Sequence, residues 1–229
     1  MNRTKPSNDR WTRPGEPTIL VTGFEPFGDE PVNPSQEIAR QLHGLQFDRY
    51  RVVAGLLPCV FGASRLELRR LMKQHSPAVV ICLGLAAGRS EVTPERVALN
   101  VDDARIADNA GEQPLDRPVV RGGPAAYWST LPIKAIVTAL QARRIPAAVS
   151  QTAGTFVCNH VFYGLMHDLA RQGARRSVRG GFIHVPAVPV AGRKRPSLPL
   201  ETSFEAVLTA IQTTLAVRRD VRAAGGQIS

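Results

Sequence analysis

The sequence predicts a single α/β domain of three layers, α/β/α, around a mostly parallel, twisted central sheet. Three observations carry that expectation. Short apolar runs alternate with amphipathic segments of helical period from residue 18 to about 217. One run, "PAVVICLGL" at 77–85, is apolar without interruption, as a strand covered on both faces must be. No internal repeat or second boundary divides the stretch. The 229-residue chain, 43% hydrophobic, can bury a core without disulfides or a structural metal.

Residues 1–17 are polar and aperiodic and predict a disordered extension. "TILVTGF" at 18–24 reads as the first buried strand. The following loop ends where Asn33 can cap a helix opened by Pro34, whose missing N–H costs nothing at that position. "YRVVAGLLP" is the next strand and "GASRLELRRLMKQH" the next helix, with Leu66 and Leu68 to Met72 forming its stripe. After 77–85 come "ERVALNV" and a polar, Pro/Gly-rich stretch from Asp102 to Ser129. A loop so long is usually functional or mobile, here a candidate lid or subunit contact. Helix 132–144, strand "PAAVSQ" at 146–151, helix 159–170, strand "GGFIHVP" at 180–186 and helix 203–219 complete the alternation, and 218–229 reads as a flexible tail. In such folds ligands bind beyond the carboxyl ends of the strands. "TGFEPFG", "GLAAGRSEVTPE", "TAGTFVC" and "HVPAVP" all fall there.

The formal charge of +10, from 29 Lys+Arg against 19 Asp+Glu, raises a nucleic-acid-binding reading. Its arginines, however, scatter at helix ends and in short clusters such as "RQGARRSVRG" and "GRKRP". Aromatics make up only 6% of the chain, so stacking platforms are scarce. A solvated basic surface is the simpler reading, and no nucleic acid is expected as partner. No apolar run approaches the roughly 20 residues that span a bilayer, so no membrane is expected either. The three cysteines have no zinc-type spacing, and no secretory signal is read at the N-terminus. They are expected as reduced thiols in a cytoplasmic protein.

Cys59 and Cys82 sit inside apolar runs and read as packing. Cys158 differs, because it opens a helix whose apolar stripe is Val161, Phe162, Leu165, Met166 and Leu169. Unpaired N–H groups and the dipole at a helix start favour an anion, which lowers a thiol's pKa toward neutrality. The same groups can form an oxyanion hole. Among five histidines, His43 and His75 fall at helix C-termini, and His167 reads as surface polarity. His160 lies about 200° around the helix from Cys158. His184, the sole polar side chain of "GFIHVPAVP", stands at a strand end on the same rim and is the better general base. A third group must orient the imidazole. The rim carboxylates Glu25, Glu91, Glu95, Asp102 and Asp103 are all candidates, and the residues alone do not choose among them. "GLAAGRS" and "TGFEPFG" match neither common phosphate-loop pattern, and there is no metal-ligand motif.

Four blocks, "TGFEPFGDEPVNPS", "PERVALNVDDARIADN", "TAGTFVCNHVFYGLMH" and "GGFIHVPAVP", closely resemble in order the pyroglutamyl-peptidase I (pyrrolidone-carboxylate peptidase) family of cysteine peptidases, from about Thr18 to Leu215. The resemblance implies an α/β/α domain that removes an N-terminal pyroglutamyl residue from peptides. It also implies a Glu–Cys–His triad with no cofactor and no metal. Matched by motif, the nucleophile is Cys158, the base His184 and the orienting acid Glu95. For substrate binding the resemblance implies Phe24 and Phe27 on the faces of the lactam, with Asn33 as a polar neighbour. Arg105 falls near the oxyanion, and Phe156 and Val157 line the pocket beside the nucleophile.

The family often reads G-Q-A-G-G-R where this chain has "GLAAGR", so Leu85 and Ala87 replace a common Gln and Gly. Where that Gln hydrogen-bonds substrate, its loss weakens lactam recognition or shifts specificity. The partners expected are N-terminally pyroglutamylated peptides. A homodimer or homotetramer is compatible with the sequence, which does not fix the oligomeric state. The rival readings are a phosphorylase-like or other hydrolase on similar architecture, and a basic nucleic-acid-binding protein.

Overall fold

The structure, a computed structural model, describes residues 16–28, 30, 32–172, 178–192 and 194–226. The expected disordered extension therefore lies outside the described residues as far as residue 15, as do parts of both basic clusters. Period-two alternation decides the layers. In β1 (Thr18–Phe24), Ile19 and Val21 enter one core while Leu20 and Phe24 enter the other. In β4 (Val79–Ala86), Val79, Ile81 and Leu83 take the first side and Val80 and Cys82 the second. β8 (Arg179–Pro186) does the same with Ile183 and Val185 against Phe182. Each fully buried Val, Leu or Ile contributes about 1.5–3 kcal/mol, so register is strongly enforced.

The first core is closed by α1 (Pro34–Leu42), α3 (Ile133–Ala142) and α5 (Leu200–Ala216), the second by α2 (Ala63–His75) and α4 (Val157–Arg171). The six-stranded sheet also contains β2 (Gln46–Phe47), β3 (Tyr50–Leu57) and β5 (Thr93–Pro94), in the order β2-β3-β1-β4-β8-β5. Its four central strands are parallel, and the two short edge strands run antiparallel to their neighbours. A separate antiparallel pair joins β6 (Val97–Leu99) to β7 (Ala126–Trp128). Because Phe182 faces α4, the side chain two residues on, His184, faces it too. The same parity in β4 turns Gly84 toward α4, and the register sets Gly84 opposite His184.

Three expectations are modified. The strand read at 146–151 is a line of single parallel bridges, Val92 to Ala147 and Glu95 to Ser150. Its partner β5 is two residues long and contains Pro94, which has no N–H for a ladder. The stretch 102–125 is tied down by hydrogen bonds within it and to its neighbours. Asn100 bonds Val120 and Gly123, Asp108 caps residues 110–112, and Tyr163 Oη donates to the Pro124 carbonyl. The start of the tail read at 218–229 packs on the domain. Asp220 accepts from Lys134 N and Ala135 N, capping α3 where Pro132 offers no side-chain cap, and Arg96 and Gln151 donate to the Gly225 carbonyl.

Candidate active site

The site lies at the carboxyl ends of the central strands, where the four rim segments meet. His184, third from the end of β8, is 4% exposed, and its Nδ1 bonds Glu95 Oε1 at 2.7 Å. Glu95 follows directly on β5, whose Thr93 is the register partner of His184, and it is 0% exposed. A carboxylate at that nitrogen selects the Nδ1–H tautomer and leaves Nε2 as the basic position. Among the described residues nothing hydrogen-bonds that Nε2. The same Glu95 oxygen accepts from Arg89 Nη1 at 2.8 Å, while Oε2 is buried without a partner.

Cys158 is the second residue of α4, at the helix start the sequence suggested, after a loop that turns at Gly154 with φ of 78°. A left-handed backbone there favours glycine. Phe156, extended at the N-cap, supplies no side-chain cap, so the first N–H groups of the helix face the rim without one. Asn159 pins this helix start: its Oδ1 accepts from Leu99 N, and its Nδ2 donates to the carbonyls of Leu99 and Val101. The sulfur lies over Gly84. A Cβ added to that glycine would come within 2.9 Å of Cys158 Sγ and 2.7 Å of the Phe182 ring. Gly84 is the register partner of His184 on the neighbouring strand, so the sulfur lies over the position opposite the imidazole-bearing residue.

Electrostatics corrects one expectation. The helix start does not leave a freely acidic thiol. Burial pushes Cys158 above the ordinary thiol range, helped by Cys59, Glu95 and Cys82, and of the named neighbours only Arg89 pulls it down. A desolvated thiol of this kind ionises when an adjacent base takes its proton, forming an ion pair. Cys59 and Cys82 are pushed up to about 12 by burial and behave as the packing thiols the sequence suggested.

The remaining residues divide by what they touch. Phe27 stays partly exposed, its ring 6.0 Å from Phe156, which meets Phe61 edge-on at 5.4 Å. Phe24 is 2% exposed and packs on Phe182 at 6.4 Å, so it does not form an open pair with Phe27. Val157 is buried in the α2/α4 core. Asn33 spends its polar atoms on structure: Oδ1 accepts from Ser35 N and Oγ, and Nδ2 donates to the Glu25 carbonyl. It caps α1 and holds the loop that carries Phe27. Arg105 is exposed and has no hydrogen-bond or ion-pair partner among the described residues. Of the other rim acids, Glu25 accepts from Cys59 N and Asn109, and Asp102 pairs with His160. His167, read as surface polarity, is buried against Tyr127 and Tyr163.

The family profile described as pyroglutamyl peptidase matches residues 17–217. The chain belongs to the pyroglutamyl peptidase family. The resemblance read from four sequence blocks is thus borne out. A pyrrolidone-carboxylate peptidase of Cupriavidus taiwanensis is 57% identical over 215 residues, covering 93% of this chain and 99% of the relative. One from Bacillus cereus is 50% identical over 212 residues, covering 91% and 98%. The crystal structure of Bacillus amyloliquefaciens pyroglutamyl peptidase I superposes with a TM-score of 0.86 at 48% identity, covering 90% of this chain and 100% of that one. The pyrrolidone carboxyl peptidase from Thermococcus litoralis gives 0.86 at 36% identity, covering 91% and 99%.

Within this pyroglutamyl peptidase fold, reading the sequence missed two features of the site. Arg89 was seen only as part of a glycine-containing turn, although a cation six residues before a buried acid is a usable signal. The Asp102–His160 pair was missed because its members lie 58 positions apart. Among the described residues no group of three His, Cys, Asp or Glu side chains is placed to hold a metal ion.

Proposed function

We propose that this chain is a cysteine-type omega-peptidase that removes an N-terminal pyroglutamyl residue from peptides, with Cys158 as nucleophile, His184 as general base and acid, and Glu95 as the orienting carboxylate. The observation that carries the reading is the buried Glu95–His184 pair standing beside Gly84, over which the Cys158 sulfur lies. His184 Nε2 takes the thiol proton as Sγ attacks the carbonyl between pyroglutamate and the next residue. The oxyanion forms at the start of α4, where backbone N–H groups are directed toward developing charge. His184 then returns the proton to the leaving amine nitrogen, the C–N bond breaks and a thioester remains. Water, deprotonated by the same ring, opens the thioester and releases pyroglutamate.

The substrate is a flat, neutral lactam without the ammonium group that ordinary aminopeptidases bind. Phe27 and Phe156 offer it an apolar rim, and Arg105 is exposed to solvent. A prolyl analogue lacking the ring carbonyl leaves a donor unpaired, at about 1–3 kcal/mol for each buried group. Leu85, buried near the end of β4, brings no polar atom to lactam recognition. Three free thiols suit a reducing, cytoplasmic setting.

The test is hydrolysis of a pyroglutamyl fluorogenic amide beside the matching prolyl amide, with and without iodoacetamide and with and without phosphate. Cleavage of the first alone, independent of phosphate and abolished by alkylation, is expected. Turnover that requires phosphate or survives complete alkylation of Cys158 overturns the reading.

A further inference from the structure

Six residues before Glu95 the chain turns after β4, and the arginine of that turn folds back onto the acid. Arg89 Nη1 donates to Thr93 Oγ1 at 2.6 Å and to Glu95 Oε1 at 2.8 Å, and Nη2 reaches the Thr152 carbonyl at 3.4 Å. The oxygen it engages is the one that already accepts from His184 Nδ1. A single carboxylate oxygen, removed from solvent, thus meets an imidazole and a guanidinium together. Desolvation disfavours a buried carboxylate, and one without a permanent counter-charge tends to draw the proton of its imidazole partner. Arginine supplies that counter-charge at every working pH, because it does not deprotonate. The same guanidinium also bonds the element that pairs with His184, through Thr93, and the loop that leads to Cys158, through Thr152.

We propose that Arg89 is a positioning residue for the reaction: its fixed charge keeps Glu95 a carboxylate, holds His184 in the Nδ1–H tautomer and steadies the loop before Cys158. The inference rests on the peptidase reading and adds a fourth member to the triad. Arg89 touches no reacting atom and acts through Glu95. Among the described residues, other ionisable groups near the reacting pair include Cys59 and Cys82, with Glu91 and Lys134 along the groove that Arg89 lines. Among the groups acting on the thiol, Arg89 is the one that favours its anion. Without that cation the thiolate loses support, and the oxygen that Glu95 shares with His184 loses its counter-charge. Both limbs of the pH–rate bell therefore move upward.

The experiment compares wild type, Arg89→Met and Arg89→Lys. It reads kcat and KM for the pyroglutamyl amide, and the rate of Cys158 alkylation by iodoacetamide, both across pH. Arg89→Met is expected to lower kcat by about ten- to hundredfold with KM little changed. It should also raise both limbs and the onset of alkylation by about one pH unit. Arg89→Lys, which keeps the charge, should restore the position of the limbs and part of the rate. Arg89 is 34% exposed, so neither change opens a core cavity. The proposal is overturned by limbs that stay in place while the rate falls, by Arg89→Lys behaving like Arg89→Met, or by no loss in either variant. Alkylation needs no substrate, so its pH profiles decide the role of Arg89 even where the wild type fails to cleave the amide. That failure would count against the peptidase reading instead.

Discussion

Two buried histidine–carboxylate pairs lie on the α4 side of the sheet, and they differ in one nitrogen. His184 Nδ1 meets Glu95 at 2.7 Å, and His160 Nδ1 meets Asp102 at 2.8 Å. The second pair is closed at its far end, because Gly62 N donates to His160 Nε2 at 3.1 Å. Both ring nitrogens are thus committed to holding structure. The pair ties α4 to the turn before α2 and to the stretch after residue 101, and it backs the Phe61 ring edge-on at 5.5 Å. Among the described residues, nothing hydrogen-bonds His184 Nε2. A carboxylate-oriented imidazole is thus not catalytic by virtue of its dyad. It becomes a base where the second nitrogen is left for substrate chemistry.

Breaking the open pair should cost activity, and breaking the closed pair should cost stability. The largest effect is expected from Cys158→Ala, which should lower kcat by at least about 10⁴-fold in a folded protein, measured with the fluorogenic amide and checked by circular dichroism. Glu95→Gln should follow with a loss of about 10²- to 10⁴-fold, as the neutral amide no longer selects the productive tautomer. His160→Leu provides the contrast. It leaves Asp102 buried and unpaired, so denaturant unfolding should show a loss of about 3–5 kcal/mol, while kcat per folded molecule stays within about threefold. Equal kcat losses in Glu95→Gln and His160→Leu would erase the distinction between the two pairs.

The smallest effect concerns the packing thiols. The folded-state pKa of Cys82 is raised by burial from 9.0 to about 12. The stability contributed by keeping it protonated is therefore complete below about pH 9 and lost as pH rises toward 12. Equilibrium unfolding followed across that window should fall less steeply in Cys82→Ala than in wild type. Activity near neutrality should be little altered, in contrast to Cys158→Ala.

Most of the scaffold was legible because burial leaves a periodic trace. The run 77–85 reads as a two-sided strand, and the structure covers it on both faces. Asn33 and Pro34 predict the start of α1 and are found there. The element at 146–151 was less legible, since its β propensity carries no information about a two-residue partner that contains proline. The tail was read as free because it is polar and Gly-rich, yet Asp220 completes a helix 85 positions away. A cap supplied from so far leaves no local pattern. Within the site, residue type singled out Cys158 and His184, whereas the choice of Glu95 among five acids came from family resemblance.

From sequence alone came the alternation of strands and helices, the helix start at the cysteine and the side of the sheet that His184 must face, since each follows from side-chain period and local backbone preference. Tertiary structure alone decided which carboxylate meets which imidazole, which of two such imidazoles keeps a nitrogen open, and that an arginine shares the oxygen holding the other. Those choices depend on distances of a few ångströms between residues far apart in the chain, fixed by the packing of layers and strand register.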